Sequence, residues 1–182
     1  LGDVYKRQVL SGKLIQTKGV GAMNWMKDGE RYSRLEQNKQ EGGMDVVAYR
    51  AKDNAREVII PSTMFIDKST GKQIAMGRIS WSNDNDKVLI YNNTKRVWRY
   101  DTRGDYWVLS LHDGNLRQLG KGLPESSMMF AKFSPDGTRV AYVSDNNLYV
   151  EDINSGKRTQ LTSDGSQTIV NGTFDWVYDC LL

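Results

Sequence analysis

One pattern recurs three times along this 182-residue chain and limits its fold more than any other feature. It reads Trp25-Met-Lys-Asp-Gly-Glu-Arg-Tyr, then Trp81-Ser-Asn-Asp-Asn-Asp-Lys-Val, then Phe133-Ser-Pro-Asp-Gly-Thr-Arg-Val. Each copy has an aromatic residue, two spacers, an Asp followed by Gly or Asn, then a basic and an apolar residue. A second half follows each copy. Tyr106 to Leu119 aligns without gaps on Leu148 to Leu161, and Val47 to Ile59 is a weaker version.

Each half has a physical meaning. Asp-Gly and Ser-Gly pairs supply the positive φ that tight hairpin turns need. Lys87-Val-Leu-Ile-Tyr and Arg139-Val-Ala-Tyr-Val-Ser are strand-like runs of β-branched and aromatic residues. Each unit therefore reads strand, turn, strand, loop, strand, turn, strand. No segment has a convincing helical period. Four antiparallel strands recurring every ~40–55 residues are the signature of a β-propeller blade. The expected fold is all-β, a partial β-propeller: about three four-stranded blades at 17–62, 74–121 and 127–163, with a fourth starting near Asn171. Three blades do not close a ring, and an open array leaves sheet edges unpaired. The chain is thus expected to belong to a larger protein.

Both ends carry a second signal. Residues 1–8, LGDVYKRQ, match the translation of a transposon mosaic-end sequencing adaptor. The same adaptor in the opposite orientation gives Cys180-Leu-Leu182, and a Glu codon interrupted by its first base reads Asp179. We therefore expect 1–8 and 180–182 to be adaptor-derived and 9–179 to be a fragment of an N-terminal propeller domain. Cys180 is the sole cysteine, so cysteine usage carries no redox information. The net charge of +3 falls to +2 without Lys6, Arg7 and Asp3. Near-neutrality gives no case for nucleic acid or an anionic membrane. No apolar run approaches the roughly 18–20 residues of a spanning helix.

Familiar catalytic patterns are absent. The one histidine, His112, sits in a His-Asp-Gly-Asn turn, which suits structure rather than zinc or general-base chemistry. There is no G-x-S-x-G nucleophile elbow and no Gly-rich phosphate loop opening a helix. No cofactor or metal is expected, and this segment alone is expected to be inactive. Asn83-Asp-Asn-Asp86 lacks the Gly and distal Glu of a calcium loop and reads as a hairpin turn. The sequons at Asn92 and Asn171 carry little weight, since such tripeptides arise by chance.

Two stretches go beyond the repeat. Residues 95–103 are cationic with interleaved aromatics; on composition alone they read as a solvated long loop, with Trp98 and Trp107 packing between blades. VWRYDTRGDYWVL at 97–109 and NGTFDWVY at 171–178 resemble stretches of the dipeptidyl peptidase IV family, serine peptidases of the prolyl oligopeptidase clan. The resemblance covers most of 17–179. In that family a similar Asn-Gly-x-x-Asp-Trp-Val-Tyr leads into a run of glutamates, whose last two members bind the substrate's N-terminal ammonium.

The resemblance implies a peptide substrate with a free N-terminus and release of X-Pro or X-Ala dipeptides. It implies a Ser-Asp-His triad in a C-terminal α/β-hydrolase domain of the same parent chain, and an extracytoplasmic homodimer in bacteria. Arg99 is the implied substrate-binding residue, holding a substrate carbonyl oxygen through its fork of donors. Arg103 is the alternative one turn of register away. Asp179 corresponds only to the first glutamate, and Trp176 and Tyr178 to core or cavity wall. Positions 180 and 181, where the amine-binding glutamates belong, hold Cys180 and Leu181. The competing reading is a non-catalytic TolB-like binding or scaffold propeller, which shares the Asp-Gly repeats but needs neither special stretch.

Overall fold

The computed structural model describes residues 21–97 and 100–173. Three four-stranded antiparallel units follow one another. The first holds β1 (Asn24–Trp25), β2 (Arg31–Gln37), β3 (Met44–Arg50) and β4 (Arg56–Ile60), paired in chain order. A 3-10 turn at Ser62–Phe65 and a small hairpin, β5 (Ile66–Asp67) with β6 (Lys72–Gln73), lead out of it. The second unit holds β7 (Arg78–Trp81), β8 (Lys87–Val97), β9 (Tyr100–Ser110) and β10 (Leu116–Gln118). The third holds β11 (Met128–Phe133), β12 (Arg139–Ser144), β13 (Asn147–Asp152) and β14 (Arg158–Gln160). One pair, Met128 with Gly104, joins the last two units into a continuous sheet.

The three repeated turns are one structure made three times. Met26, Ser82 and Ser134 each donate their N–H to the carbonyl of the residue five ahead, Arg31, Lys87 and Arg139. The carboxylates of Asp28, Asp84 and Asp136 accept backbone N–H bonds from Glu30, Asp86 and Thr138 at 3.0–3.1 Å. The following residues, Gly29, Asn85 and Gly137, all have φ between 57° and 72°, the left-handed region that Gly takes freely and Asn tolerates. Asn83-Asp-Asn-Asp86 is therefore the expected turn. The turns also touch in series. Lys27 N–H donates to Asn85 Oδ1 at 2.9 Å, and Asn83 Nδ2 donates to the Pro135 carbonyl at 3.0 Å.

The gap-free alignment of the second halves appears as identical register. Trp107, Val108 and Leu109 face Gln118, Arg117 and Leu116. Their counterparts Tyr149, Val150 and Glu151 face Gln160, Thr159 and Arg158. Val47, Ala48 and Tyr49 face Val58, Glu57 and Arg56 in the same way.

Stacking these units makes two cores. Successive side chains of a strand point to opposite faces. So in Val88-Leu89-Ile90-Tyr91, Val88 and Ile90 enter a core shared with the first unit, beside Val46, Ile60, Phe65 and Trp81. Leu89 and Tyr91 enter a core shared with the third unit, beside Val108, Leu119, Val140 and Tyr142. A sheet covered on both faces reads as a continuous apolar run rather than an alternating one. Each such side chain, fully buried, contributes about 1.5–3 kcal/mol. A buried carboxylate bridges the second core. Glu151, 2% exposed, accepts the Gly120 N–H at 2.9 Å and the Tyr142 hydroxyl at 3.0 Å, with Arg117 at 3.7 Å.

Near the C-terminal side, Asn171 returns to the third unit, its N–H and Nδ2 both donating to the Asn146 carbonyl at 3.1 Å. Gly172 has φ 75°, and a Cβ there would lie 2.7 Å from Val143 Cγ2, so only glycine fits. These residues open the NGTFDWVY stretch; from residue 174 onward, where the fourth blade is expected, it lies outside the described residues.

Candidate functional site

The second unit departs from the repeat in one respect. Its middle strands β8 and β9 are each 11 residues long, while β7 pairs only from Arg78–Tyr91 to Trp81–Val88. Beyond the blade, β8 and β9 continue together as a two-stranded arm, with Asn92 facing Asp105, Lys95 facing Arg103, Arg96 facing Asp101 and Val97 facing Tyr100. The burial pattern marks the exit. Val88 to Asn92 are buried, and Asn93 to Val97 are exposed. The stretch that composition suggests is a loop is thus, in its described part, an extended ribbon. Lys95, Arg96 and Arg103 make it cationic, and Arg103 is exposed.

Four contacts fix the base of the arm. Tyr91 donates its hydroxyl to the Asp101 carbonyl at 2.7 Å. Asn93 Nδ2 donates to Asp105 Oδ2 at 2.7 Å, and Ser126 N–H to Asp105 Oδ1 at 2.8 Å. The Ser126 hydroxyl donates to the Asn93 carbonyl at 2.5 Å. Gly104 lies flat against Tyr91, and a Cβ there would come within 2.4 Å of the Tyr91 ring. Tyr91 stacks at a tilt on Tyr106, ring centroids 4.7 Å apart, and the Arg78 guanidinium lies 5.7 Å from the Tyr91 centroid. Burial raises both phenols above their usual range, so both stay neutral.

Asp105 belongs to a second repeat that sequence reading misses. Asp45, Asp105 and Asn147 occupy equivalent positions on the third strand of their units, and all three are buried. Each accepts a backbone N–H from the segment leaving its unit: Ser62 at 2.7 Å, Ser126 at 2.8 Å and Gly165 at 3.0 Å. The signal was present, since all three fall in register when the second halves are superposed, but the identity changes from Asp to Asn.

Of the residues singled out in the sequence, Arg103 lies on the arm. Arg99, Trp98, Trp176, Tyr178 and Asp179 lie outside the described residues. His112 is an exposed turn residue, and Trp107 packs against the first core. Asn92 is buried with its Nδ2 donating to the Ala75 carbonyl, which removes it as a glycosylation acceptor in the folded chain. Among the described residues no group of three or more His, Cys, Asp or Glu is placed to hold a metal ion. No described helix is long and apolar enough to cross a membrane.

Stacked four-stranded antiparallel units with an arm raised from one of them define a β-propeller specialised at one blade. Residues 82–180 match the family model described as the dipeptidyl peptidase IV N-terminal region. The chain belongs to that family. It is 30% identical over 95% of its length to a protein of Aspergillus terreus named "Probable dipeptidyl-aminopeptidase B", and 36% identical over 60% of its length to the protein of that name from Podospora anserina. It spans about a fifth of the length of the first relative and 12% of the second. The crystal structure of Porphyromonas gingivalis dipeptidyl peptidase 4 superposes on 95% of this chain, using 24% of its own, with a TM-score of 0.76 at 22% identity. That likeness establishes the propeller fold.

Proposed function

We propose that this chain is the substrate-gating part of the N-terminal propeller of a serine-type dipeptidyl peptidase. The parent would release X-Pro and X-Ala dipeptides from free peptide N-termini. The observation that carries the reading is the anchored arm of the second blade, whose strands flank Trp98-Arg99 in a chain of this family. An arginine carried on such an arm supplies a rigid fork of donors for a peptide carbonyl. Fixing the substrate by its amine end sets the register of the scissile bond against a distant nucleophile. The nucleophile, its hydrolase domain and the amine-binding glutamates would lie in the parent outside 9–179, with 1–8 and 180–182 adaptor-derived. On this reading the fragment is inactive alone, and the parent is an extracytoplasmic homodimer.

The test is to assay the full-length protein with glycyl-prolyl-p-nitroanilide and its N-acetylated form. Release of nitroaniline from the free amine alone is expected. Equal cleavage of both substrates, or of neither, overturns the proposal.

A further inference from the structure

The arm leaves its blade at a β-bulge. Between the pairs Asn92 with Asp105 and Lys95 with Arg103, β8 carries two residues, Asn93 and Thr94, against the single Gly104 of β9. Such an insertion bends its strand and re-aims what lies beyond it. Asn93 has φ 45°, a left-handed conformation that Asn tolerates better than most residues. It is held from two sides. Its side-chain amide donates to Asp105, and its carbonyl accepts the Ser126 hydroxyl. The Ser126 N–H closes the circuit on the other Asp105 oxygen. Asp105 and Ser126 are both buried.

The other two blades show the same circuit without an arm. In the first, Asp45 accepts the Asn38 amide at 3.2 Å and the Ser62 N–H at 2.7 Å. There the chain turns back at once, with the Asn38 N–H bonded to the Gly43 carbonyl at 3.0 Å. The Ser62 hydroxyl is buried without a hydrogen-bond partner. In the third, Asn147 accepts the Gly165 N–H and the Thr162 hydroxyl, and β12 and β13 stay paired down to Ser144 and Asn147. Among the described residues, only the second blade joins the circuit to a bulge, and only there does the serine hydroxyl hold the outgoing strand.

We propose that Asp105, Asn93 and Ser126 are positioning residues. They set the angle at which the arm leaves the blade, and through it the strength with which the arm holds a peptide substrate; this second part rests on the peptidase reading above. None of the three needs to touch the substrate. The arm acts as a lever. Val97 lies four residues beyond Asn93, so at about 3.3 Å per residue a rotation of about 10° at the bulge moves it by about 2 Å. A displacement of that size is enough to misalign a hydrogen-bonding contact.

The test exchanges the two partners in the full-length protein. Asn93→Asp sets carboxylate oxygens against those of Asp105. Asp105→Asn sets an amide against an amide, which the Asn93 side chain can partly relieve by turning its oxygen inward. The double variant restores one donor and one acceptor and keeps an oxygen for the Ser126 N–H. Asn93→Asp should raise KM for glycyl-prolyl-p-nitroanilide several-fold with kcat within about twofold of the wild type. Asp105→Asn should raise it less, and the double variant should return it most of the way. Asp45→Asn, the same change in the first blade, should lower the unfolding midpoint and leave KM unchanged. Hydrogen exchange read by mass spectrometry is independent of activity. Amides of residues 93–104 should exchange faster in Asn93→Asp and recover in the double variant, while those of 139–144 stay as in the wild type. An unchanged KM in Asn93→Asp, a double variant that restores neither KM nor protection, or an equal KM shift in Asp45→Asn overturns the proposal. A wild type that cleaves no dipeptidyl substrate removes the peptidase reading instead. Exchange then decides the latch: recovery in the double variant supports it, and no recovery overturns it.

Discussion

Trp81 donates its indole N–H to the Ser33 hydroxyl at 2.8 Å, across the boundary between the first and second blades. Both groups are buried, Trp81 at 6% exposure and Ser33 at 0%. The Ser33 hydroxyl in turn donates to the Asn24 carbonyl at 3.3 Å. Ser33→Ala would strand a buried N–H, so a loss of about 1–3 kcal/mol is expected. In the Ser33→Ala background, Trp81→Phe should cost about 1 kcal/mol less than in the wild type, because the donor is already unpaired. Urea unfolding of the four proteins, followed by circular dichroism, measures this coupling. Additive losses would mean that the bond contributes only packing.

The Asp-Gly turns give the fold an acid-sensitive component. The Asp136 carboxyl is held down to about 2 from 3.8, first by the Ser134 hydroxyl and then by the Thr138 N–H. A folded pKa below the unfolded one means that this stabilisation is complete above about pH 4. It is lost as pH falls from there through about 2. Asp28 and Asp84 are lowered in the same direction by their own turns. Asp136→Asn should therefore flatten the fall of the thermal midpoint between pH 4 and 2. A profile parallel to the wild type would show that the turn carboxylate is not linked to folding.

The parts legible in the sequence are those where one residue type meets one local need. Asp28, Asp84 and Asp136 mark turns because a carboxylate two residues before a backbone N–H closes them. The continuous apolar run in Lys87-Val-Leu-Ile-Tyr, rich in β-branched and aromatic residues, announces a strand. What was not legible depends on tertiary context. From Asn93 to Val97 the arm loses the apolar run of the strand as it leaves the blade, so an exposed ribbon looks like a loop. Ser126 and Phe130 take positive φ without a glycine to signal it. Their conformations follow from the Asp105 contact and the bulge between Met129 and Lys132. Trp25 repeats Trp81 in sequence, yet it is 60% exposed here, since no described unit precedes the first blade to cover it.

Gly104 gives a sharper test of the arm. It pairs with Met128 and lies on Tyr91, where an added Cβ would also meet the Asn92 carbonyl oxygen at 2.7 Å. Gly104→Ala must move either the arm or the Tyr91 ring. Overpacking of this kind costs about 1–3 kcal/mol. If the arm positions substrate, the full-length protein should show a KM for glycyl-prolyl-p-nitroanilide raised several-fold. Tyr91→Phe, which removes only the bond to Asp101, should shift KM the same way by less. A loss of stability with unchanged KM would reduce the arm to a structural extension.

Arg99 and Arg103 then divide the proposed function between them. Arg103 is exposed on β9 and pairs in register with Lys95, well down the ribbon from Val97 and Tyr100. Arg99 falls between those two residues in the chain. If the proposed carbonyl contact belongs to Arg99, Arg99→Ala should lower kcat/KM for X-Pro substrates by about 2–3 kcal/mol, the scale of truncating a charged hydrogen-bonding partner. Arg103→Ala should change it far less, because its charge is screened by solvent. Arg99→Lys should recover little, since an ammonium lacks the planar fork. The reverse order of effects would move the contact to Arg103. Equal small effects, with stability alone reduced, would leave the arm without a substrate contact and remove the observation on which the peptidase reading rests.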